Sequence, residues 1–360
     1  NSKYRAYLVG GYIRDITLGT KPFDIDIVVE GDGISAARQL NRKLKGNLTL
    51  YPQFGTASIM LKNKRVDLAS ARLESYPTPG KLPHIYPSSI INDLNRRDFT
   101  INAIAMSISK ENFGEIYDPF NGLQDIKKGL IRILHKKSFI DDPTRIFRAL
   151  RYKNRFGFRI EPETEKLMKS AIAKNLINHL SGKRLLNELQ LILAEETYRK
   201  TLRDISDYGI YKIKNHTLQA MRLMGRERLY FYLSRLKSDR FPLTKEEKKK
   251  VADFRRFSEI VSRLSRTSRA SKIYQLLSPL NIDVVKVIPL IKPRLRTKVK
   301  KFLALRKKKP FISGNDLLKL GFKPGKRFKH LLESLFMEQL DKKLKTRKEA
   351  IAYLKKQKKR

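Results

Sequence analysis

Two aspartates, Asp24 and Asp26, stand one residue apart in the run Phe23-Asp-Ile-Asp-Ile-Val-Val29, whose other residues are those of a buried strand. Alternate side chains of a strand share a face, so the two carboxylates point one way and Ile25 and Ile27 the other. Carboxylates held this close repel each other and resist joint ionisation. A divalent cation relieves that repulsion, and oxygen-only ligation suits Mg²⁺. Cations shared between such carboxylates activate an attacking hydroxyl and stabilise a leaving oxygen in phosphoryl transfer. The plain alternative is an exposed strand face carrying solvated aspartates. Upstream, Gly10-Gly11 lies between a strand and a helix start, where backbone N–H groups approach a phosphate and the helix N-terminus adds a positive end. Arg14, one turn on, reaches the same anion. Alone, Gly-Gly is a tight turn; at this spacing from Asp-x-Asp it reads as a triphosphate grip over metal ions. Asp67, in Lys64-Arg-Val-Asp67, is either a third carboxylate from the adjacent hairpin or a solvated residue at a strand end.

The elements that must hold these residues follow from periodicity. Residues 4–11 read as a strand entering the Gly-Gly turn, 12–19 as a short helix stopped by Gly19, and 23–31 as the next strand. Residues 33–46 have helical period, and 48–72 alternate like a hairpin with its turn near Lys62-Asn-Lys64. The proline-rich stretch 74–89 reads as a loop. A helix running into a strand follows at 90–108, then strand, turn, short helix and strand over 114–134. This makes the first ~135 residues α/β with a small mixed sheet. Beyond 139 the strand signal largely disappears. Long amphipathic helices follow, with breaks expected near Gly157, Ser181–Gly182, Gly209, Pro242, Pro279, Pro289, Pro293 and Pro310.

The 360 residues hold no Cys and no Trp, with 41% hydrophobic residues, enough for two or more cores. The lack of Cys excludes a disulfide framework and fits a cytoplasmic protein. No apolar run approaches membrane-spanning length. The chain opens on Asn1, almost at its first strand, which reads as a piece of a longer chain. Net charge is +44 and unevenly spread: residues 1–150 carry 23 Lys+Arg against 15 Asp+Glu, the remainder 56 against 20. A surface this positive repels itself unless a polyanion neutralises it, which points to nucleic acid. A solvated lysine coat or an acidic membrane surface are the alternatives. The densest cationic stretch is 292–309.

The order Gly10-Gly11-x-x-Arg14-Asp15, Gly19, Asp24-x-Asp26 resembles the nucleotidyltransferase signature of the polymerase-β superfamily. More narrowly it resembles class II tRNA nucleotidyltransferases, the family of CCA-adding enzymes and bacterial poly(A) polymerases. Residues 95–106 match that family's second motif over Arg96-Arg97-Asp98-Phe99-Thr100-x-Asn102-Ala103. Residues 141–164 match its nucleobase motif and following helix, with Asp141 where the family usually has Glu. Residues 181–189 resemble its Ser-x-x-Arg-Leu-x-x-Glu-Leu segment, so the motifs together span roughly 5–190. The resemblance implies an α+β chain. A polymerase-β-like nucleotidyltransferase head (1–135), a small mixed sheet with helices, leads into an all-α neck with nucleotide-selecting helices (136–200), an all-α body (201–275) and a basic all-α tail (276–360). It also implies roles: Asp24 and Asp26 as catalytic metal ligands for Mg²⁺; Gly10, Gly11 and Arg14 at the triphosphate; Arg97, Asp98 and Asn102 at the ribose and nucleotide. Asp142, Arg145, Arg148 and Arg151 resemble the set that selects the base and binds phosphate.

The chemistry of that last set agrees. On a helix beginning near Pro143 the arginines recur every three residues, with Asp142 at an N-cap position. An ordinary capping Asp with a solvated Arg ladder would look the same. Cytosine and adenine each offer an amino donor beside a ring-nitrogen acceptor. A carboxylate and a guanidinium match that edge and mismatch uracil and guanine. Mismatched buried polar groups reject a ligand by factors on the order of 10⁴. Arg148 and Arg151 would then screen the triphosphate. In the tail, Lys326, Arg327 and Lys329 follow the Pro324-Gly325 turn at a helix N-terminus, a placement suited to RNA phosphates; Asp316 reads as a cap. Tyr and Phe in 198–257 read as core rather than stacking platforms. The expected activity is template-independent addition of C and/or A, from CTP and ATP, to the tRNA 3′ end, with the protein gripping the acceptor and TΨC side. Loop 72–90 is the expected discriminator among CCA, CC and A addition. A poly(A) polymerase and a catalytically silent RNA-binding module are the alternatives.

Overall fold

The computed structural model describes residues 4–22, 24–62, 64–78, 80, 83–236 and 240–358, and the chain forms two compact units, 1–212 and 213–360. Phe23 and Asn63, the latter at the expected hairpin turn, lie outside the described residues.

The first unit is built on a seven-stranded sheet. Its strands are β1 (Arg5–Val9), β2 (Ile25–Glu30), β3 (Asn47–Tyr51), β4 (Thr56–Met60), β5 (Arg65–Ser70), and, after the ribbon below, the short strands Ala105–Ser107 and Ile116–Tyr117. The order is β3-β4-β5-β2-β1, then those two. Only β2 and β5 run parallel, which places Asp26 opposite Asp67; β4 returns antiparallel and sets Ser58 opposite Asp67. A row of polar residues therefore crosses three strands on one face. On the other face Ile25, Ile27, Ile59, Val66 and Leu68 pack with Ala37 of the helix Gly33–Leu44. Val28, on the face of Asp26, is buried with Ile90 and Leu94 of the helix Ile90–Asn95. β2 itself begins at Ile25, so Asp24 sits at the mouth of the strand rather than within it.

Three local expectations change. The stretch 48–72 is a three-stranded meander, not one hairpin, because Pro52–Phe54 form a turn of 3₁₀-helix closed by Gly55 in the left-handed region. The proline-rich stretch is not all loop. Arg72–Ser75 and His84–Pro87 pair as a two-stranded ribbon, where Pro87 sits at a strand end and deprives no central ladder of a donor. Pro289 does not break its helix, which runs Ile282–Ile291; so near the C-terminus the missing N–H removes only one late bond. The strand expected at the end of 114–134 is Leu130–Ile131, and it pairs in parallel with Arg159–Ile160, where no strand signal was read.

After the sheet come Gly122–Lys128, Ser138–Asp141 and the helix Thr144–Phe156, which buries Ile146, Phe147, Ala149 and Leu150 and ends on Gly157 at φ 71°. The helix Gly182–Ala194 starts at Ser181, whose hydroxyl accepts from the Arg184 N–H, and buries Leu185, Leu186, Leu189 and Ile192. The second unit is helical throughout, from Asn215–Arg222 to Arg347–Lys358. Phe231, Tyr232, Phe254 and Phe257 are buried, as expected of core aromatics. Asp316 closes a capping box with Ser313 and pairs with Arg347, so its role is structural. Among the described residues no single helix is long and apolar enough to cross a membrane.

Candidate active site

A cavity of about 540 Å³ opens in the first unit, bordered by Gly10, Gly11, Arg14, Asp26, Arg97, Asp98, Asn102, Asp142, Arg145 and Arg148. Ten of the residues singled out from sequence thus meet at one place, drawn from four segments far apart in the chain. Gly10 is at φ 65°, and a Cβ there would stand 2.6 Å from an Arg97 guanidinium nitrogen. The positive φ favours glycine here, and a side chain would in addition displace the Arg97 guanidinium.

Each cation in this cavity is held by a partner. Arg14 is buried, bonded to Asp15 at 2.7 Å and to the Asn102 side-chain oxygen, with its guanidinium over the rings of Tyr152 and Phe156. Asn102 in turn donates to Asp98 at 2.9 Å. Asp98 also accepts from Arg148 at 2.7 Å. Burial alone would raise the Asp98 carboxyl, but Arg148, the Asn102 amide and Arg145 draw it down to about 2. Arg97 and Arg96 share the fully buried Asp93, at 2.9 and 2.6 Å. Arg145 donates to the Ser138 hydroxyl and to the Arg96 carbonyl, both at 2.6 Å. Asp142 accepts from the backbone and hydroxyl of Thr144, capping the first helical turn, while its other oxygen meets Arg184 at 2.7 Å. Five N–H donors on Arg145 and the free lone pairs of Asp142 leave both able to meet a base edge while staying fixed in direction.

Arg151 is not brought to the cavity. Its side chain is buried, 3.1 Å from Glu195 and 3.9 Å from Glu188, with the guanidinium over Tyr152. Steps of three residues fall about 60° short of a full turn, so Arg151 is rotated well away from Arg145. Asp24 also lies outside this cavity, near Arg65 at 3.3 Å; Arg65 bridges it to Asp67 at 2.9 Å. In the second unit Arg327 and Lys329 are exposed with no carboxylate partner among the described residues, and the Lys326 side chain lies outside them.

Asp26 stands between two hollows. Together with Arg96 and Arg97 it also borders a second one, of about 380 Å³, on the polar row of the sheet beside Tyr51, Ser58, Arg65 and Asp67. Burial raises its carboxyl above the ordinary range, helped by Asp67 and Asp24 and opposed by Arg97 and Arg65. Among the described residues no three His, Asp or Glu side chains gather tightly enough to hold a cation alone. A pair of hard carboxylates does fit a divalent ion that takes its remaining oxygens from substrate phosphates and water. The crowding of negative charge at Asp26 is what such an ion would relieve.

Glu74, Tyr76 and Asn187 also line the cavity and were not singled out from sequence, while Arg96, Arg184 and Glu188 lay within the matched motifs without a role of their own. Glu74 accepts from Arg72, Arg96 and the Tyr76 hydroxyl, so the ribbon is tied to the segment after Asn95. Glu188 is raised by burial and by Asp142 and Asp98, against Arg148 and Arg151. Arg184 and Glu188 stand one helical turn apart in the segment 181–189. The signal for Glu74 and Tyr76 was the alternation Arg72-x-Glu74-x-Tyr76, which runs from the expected hairpin into the stretch read as loop.

A family model described as the poly A polymerase head domain matches residues 6–132, and one described as a probable RNA- and SrmB-binding site of polymerase A matches 157–216. An A-adding tRNA nucleotidyltransferase of Aquifex aeolicus is 36% identical over 94% of this chain and 45% of its own length. An A-adding tRNA nucleotidyltransferase of Halalkalibacterium halodurans is 30% identical over 96% of this chain and 87% of its own. This chain thus spans less than half of the first relative and most of the second. A solved CCA-adding enzyme in complex with ATP superposes with a TM-score of 0.77 at 31% identity, covering 98% of this chain and 91% of that one.

Proposed function

The chain belongs to the tRNA nucleotidyltransferase family, and on that premise we propose that it transfers nucleotides from ATP or CTP to the 3′ end of tRNA without a template. The observation that carries this is the position of Asp26, bordering both the arginine-lined cavity and the hollow on the sheet. We assign the first to the incoming nucleoside triphosphate and the second to the 3′-terminal nucleotide of the acceptor.

In this reading Arg14 and Arg148 face the triphosphate, each fixed in direction by Asn102 or Asp98, and the Gly10-Gly11 turn lets the chain pass close to it. Asp142 and Arg145 present an acceptor and donors to the base. They accept the amino and ring-nitrogen edge of A or C and set like against like with U or G. Arg151 acts by positioning, pairing with Glu195 and lying beside Glu188, which lines the cavity. Asp24 and Asp26 would hold a divalent ion, for which Mg²⁺ is suited, and that ion would supply charge stabilisation at the phosphoryl group and acidify the attacking hydroxyl. The acceptor 3′-oxygen forms a bond to the α-phosphorus, its proton passes to Asp24 or Asp26, and the bond to the β-phosphate oxygen breaks to release pyrophosphate. The chain then divides functionally into the head, neck, body and tail given above, with the basic tail holding the acceptor and TΨC side, in the cytoplasm. The finer reading is A addition to tRNA ending in CC, supported by A-adding relatives that match nearly the whole chain.

The test is incorporation on tRNA transcripts ending before, within and just short of CCA. CTP and ATP are supplied singly and together with Mg²⁺, and the product ends are sequenced. One A on the CC-ending transcript and nothing on the others is expected. Complete CCA, or two C's and a stop, would replace the finer reading; a long A tail would point to a poly(A) polymerase. No transfer on any transcript would overturn the activity altogether.

A further inference from the structure

The second unit contains a hollow that the reaction above does not use. It has a volume of about 440 Å³ and lies between the helices Phe257–Ser265 and Ala270–Leu277. Its rim carries four cations, Arg256, Arg263, Arg266 and Lys272, and its floor is aliphatic, made by Ile260, Leu276 and Leu280. One carboxylate, Glu259, touches Arg256 and Arg263 at the surface, while Arg266 and Lys272 have no carboxylate partner among the described residues. The loop bearing Arg266 is held in place. Lys298 donates to the carbonyls of Leu264 and Ser265, each at 2.9 Å, and Lys301 to that of Ser268 at 3.1 Å. At the far side Arg269 and Ser271 are both bonded to Asp341.

Four rim cations with one carboxylate among them, over an apolar floor, suit a ligand with anionic groups flanking a flat, weakly polar body. We propose that this hollow seats one unstacked nucleotide of an RNA loop. The base lies on Leu276 and Leu280, and the neighbouring phosphates meet Arg263, Arg266 and Lys272. The volume falls within the range of small-molecule sites, and guanidinium planes stack on bases as readily as they pair with phosphate. RNA is favoured over a free nucleotide because the positive charge does not end at the rim. The lysines that pin the loop belong to the stretch 292–309, in which no cation pairs with a carboxylate among the described residues. One phosphate would neutralise only a small part of that charge, whereas an RNA strand running from the hollow neutralises it along its length. The inference rests on the RNA substrate proposed above.

The experiment measures binding of fluorescent tRNA ending in CC to the whole chain over a range of salt, beside A incorporation at saturating tRNA. For Arg266→Ala with Lys272→Ala, the tRNA dissociation constant should rise about tenfold. The slope of log affinity against log salt should flatten by about 1.4, two contacts at about 0.7 each for a single strand. Leu276→Ala should weaken binding about fivefold with the slope unchanged, and incorporation at saturation should hold in all variants. An unchanged constant and slope in the double variant would overturn the site. So would a loss confined to the arginine–lysine variant with Leu276→Ala silent, since no base would then sit on the floor. Displacement of tRNA by millimolar AMP from wild type but not from the double variant would mark a free-nucleotide pocket and also overturn it. Incorporation by wild type with unaltered variant binding sinks the hollow alone. Binding that responds to the variants without any incorporation sinks the activity and leaves the hollow standing; no tRNA binding by wild type sinks both.

Discussion

Around the cavity of the first unit Arg14, Arg96, Arg97, Arg148 and Arg184 are each tied to a carboxylate, whereas in 292–309 of the second unit no Lys or Arg is, among the described residues. The totals point the same way: residues 1–212 hold 36 Lys+Arg against 23 Asp+Glu, and 213–360 hold 43 against 12. Arginine does two kinds of work here. Paired and partly buried, it is a fixed donor whose direction is set by its carboxylate, and it discriminates between ligands at short range. Unpaired and exposed, it contributes long-range attraction to a polyanion with little demand on geometry. Pairing also costs charge, so the cavity is not strongly positive overall and selects by arrangement rather than by field.

Four measurements would break or sharpen that contrast. The largest effect is expected at Asp26. Asp26→Ala should reduce incorporation by on the order of 10³-fold or more, the scale of removing a directly acting group. tRNA affinity, which we assign to the second unit, should change by less than about twofold. A comparable loss of tRNA binding would mean that the two units do not divide the work in this way.

Next comes Arg148→Ala, which strands the buried Asp98. Breaking a buried pair from one side costs about 3–5 kcal/mol; the lower end is expected, because the Arg148 side chain keeps 29% of its exposure through the cavity. Thermal unfolding of the variant should show it, and rescue by Asp98→Asn in the same chain would confirm the cause.

The third is a pH effect. The folded-state carboxyl of Asp98, near 2, lies below its unfolded value of 3.8. The pair therefore stabilises the fold fully above about pH 4, and the contribution fades as pH falls toward 2. It is worth about 2 kcal/mol when fully present. The stability gap between wild type and Asp98→Asn should be constant from pH 7 to 5 and narrow steadily below 4. A gap independent of pH would show that Asp98 is not held ionised by Arg148.

The smallest change in stability should come from Lys307→Ala with Lys308→Ala. These side chains are exposed, with no carboxylate partner among the described residues, so stability should stay within about 0.5 kcal/mol of wild type. Affinity for tRNA should fall severalfold, with a shallower salt dependence. If instead the double variant unfolds early while binding is unchanged, the basic stretch is a structural element and not an RNA surface.

Much of the site was legible before any coordinates because its motifs are local. Gly10-Gly11, Asp24-x-Asp26, Arg97-Asp98 and Asp142-Pro-Thr-Arg145 each lie within one turn or strand, where spacing dictates which side chains share a face. The role of Asp67 was left open, since nothing in Lys64-Arg-Val-Asp67 separates a site carboxylate from a solvated one; the register that sets it opposite Asp26 came from the structure. Arg151 was misplaced because a spacing of three looks like one face over a single step and drifts over two. The ribbon at 72–87 was hidden by its prolines, whose penalty applies to central strands and not to a ribbon made only of edges.

By itself, then, the sequence determined the identity of most groups that line the cavity, the α+β character of the first part and the helical character of the rest. Those properties arise from short-range alternation, caps and composition. Only the tertiary structure decided which cation pairs with which anion: Glu74 with Arg96, Arg184 with Asp142, Arg148 with Asp98. Those partners lie 22, 42 and 50 residues apart, and an ion pair over such a separation leaves no periodic trace in the chain. Only packing, which closes the ribbon and the two helices onto the sheet, brings the charges within reach.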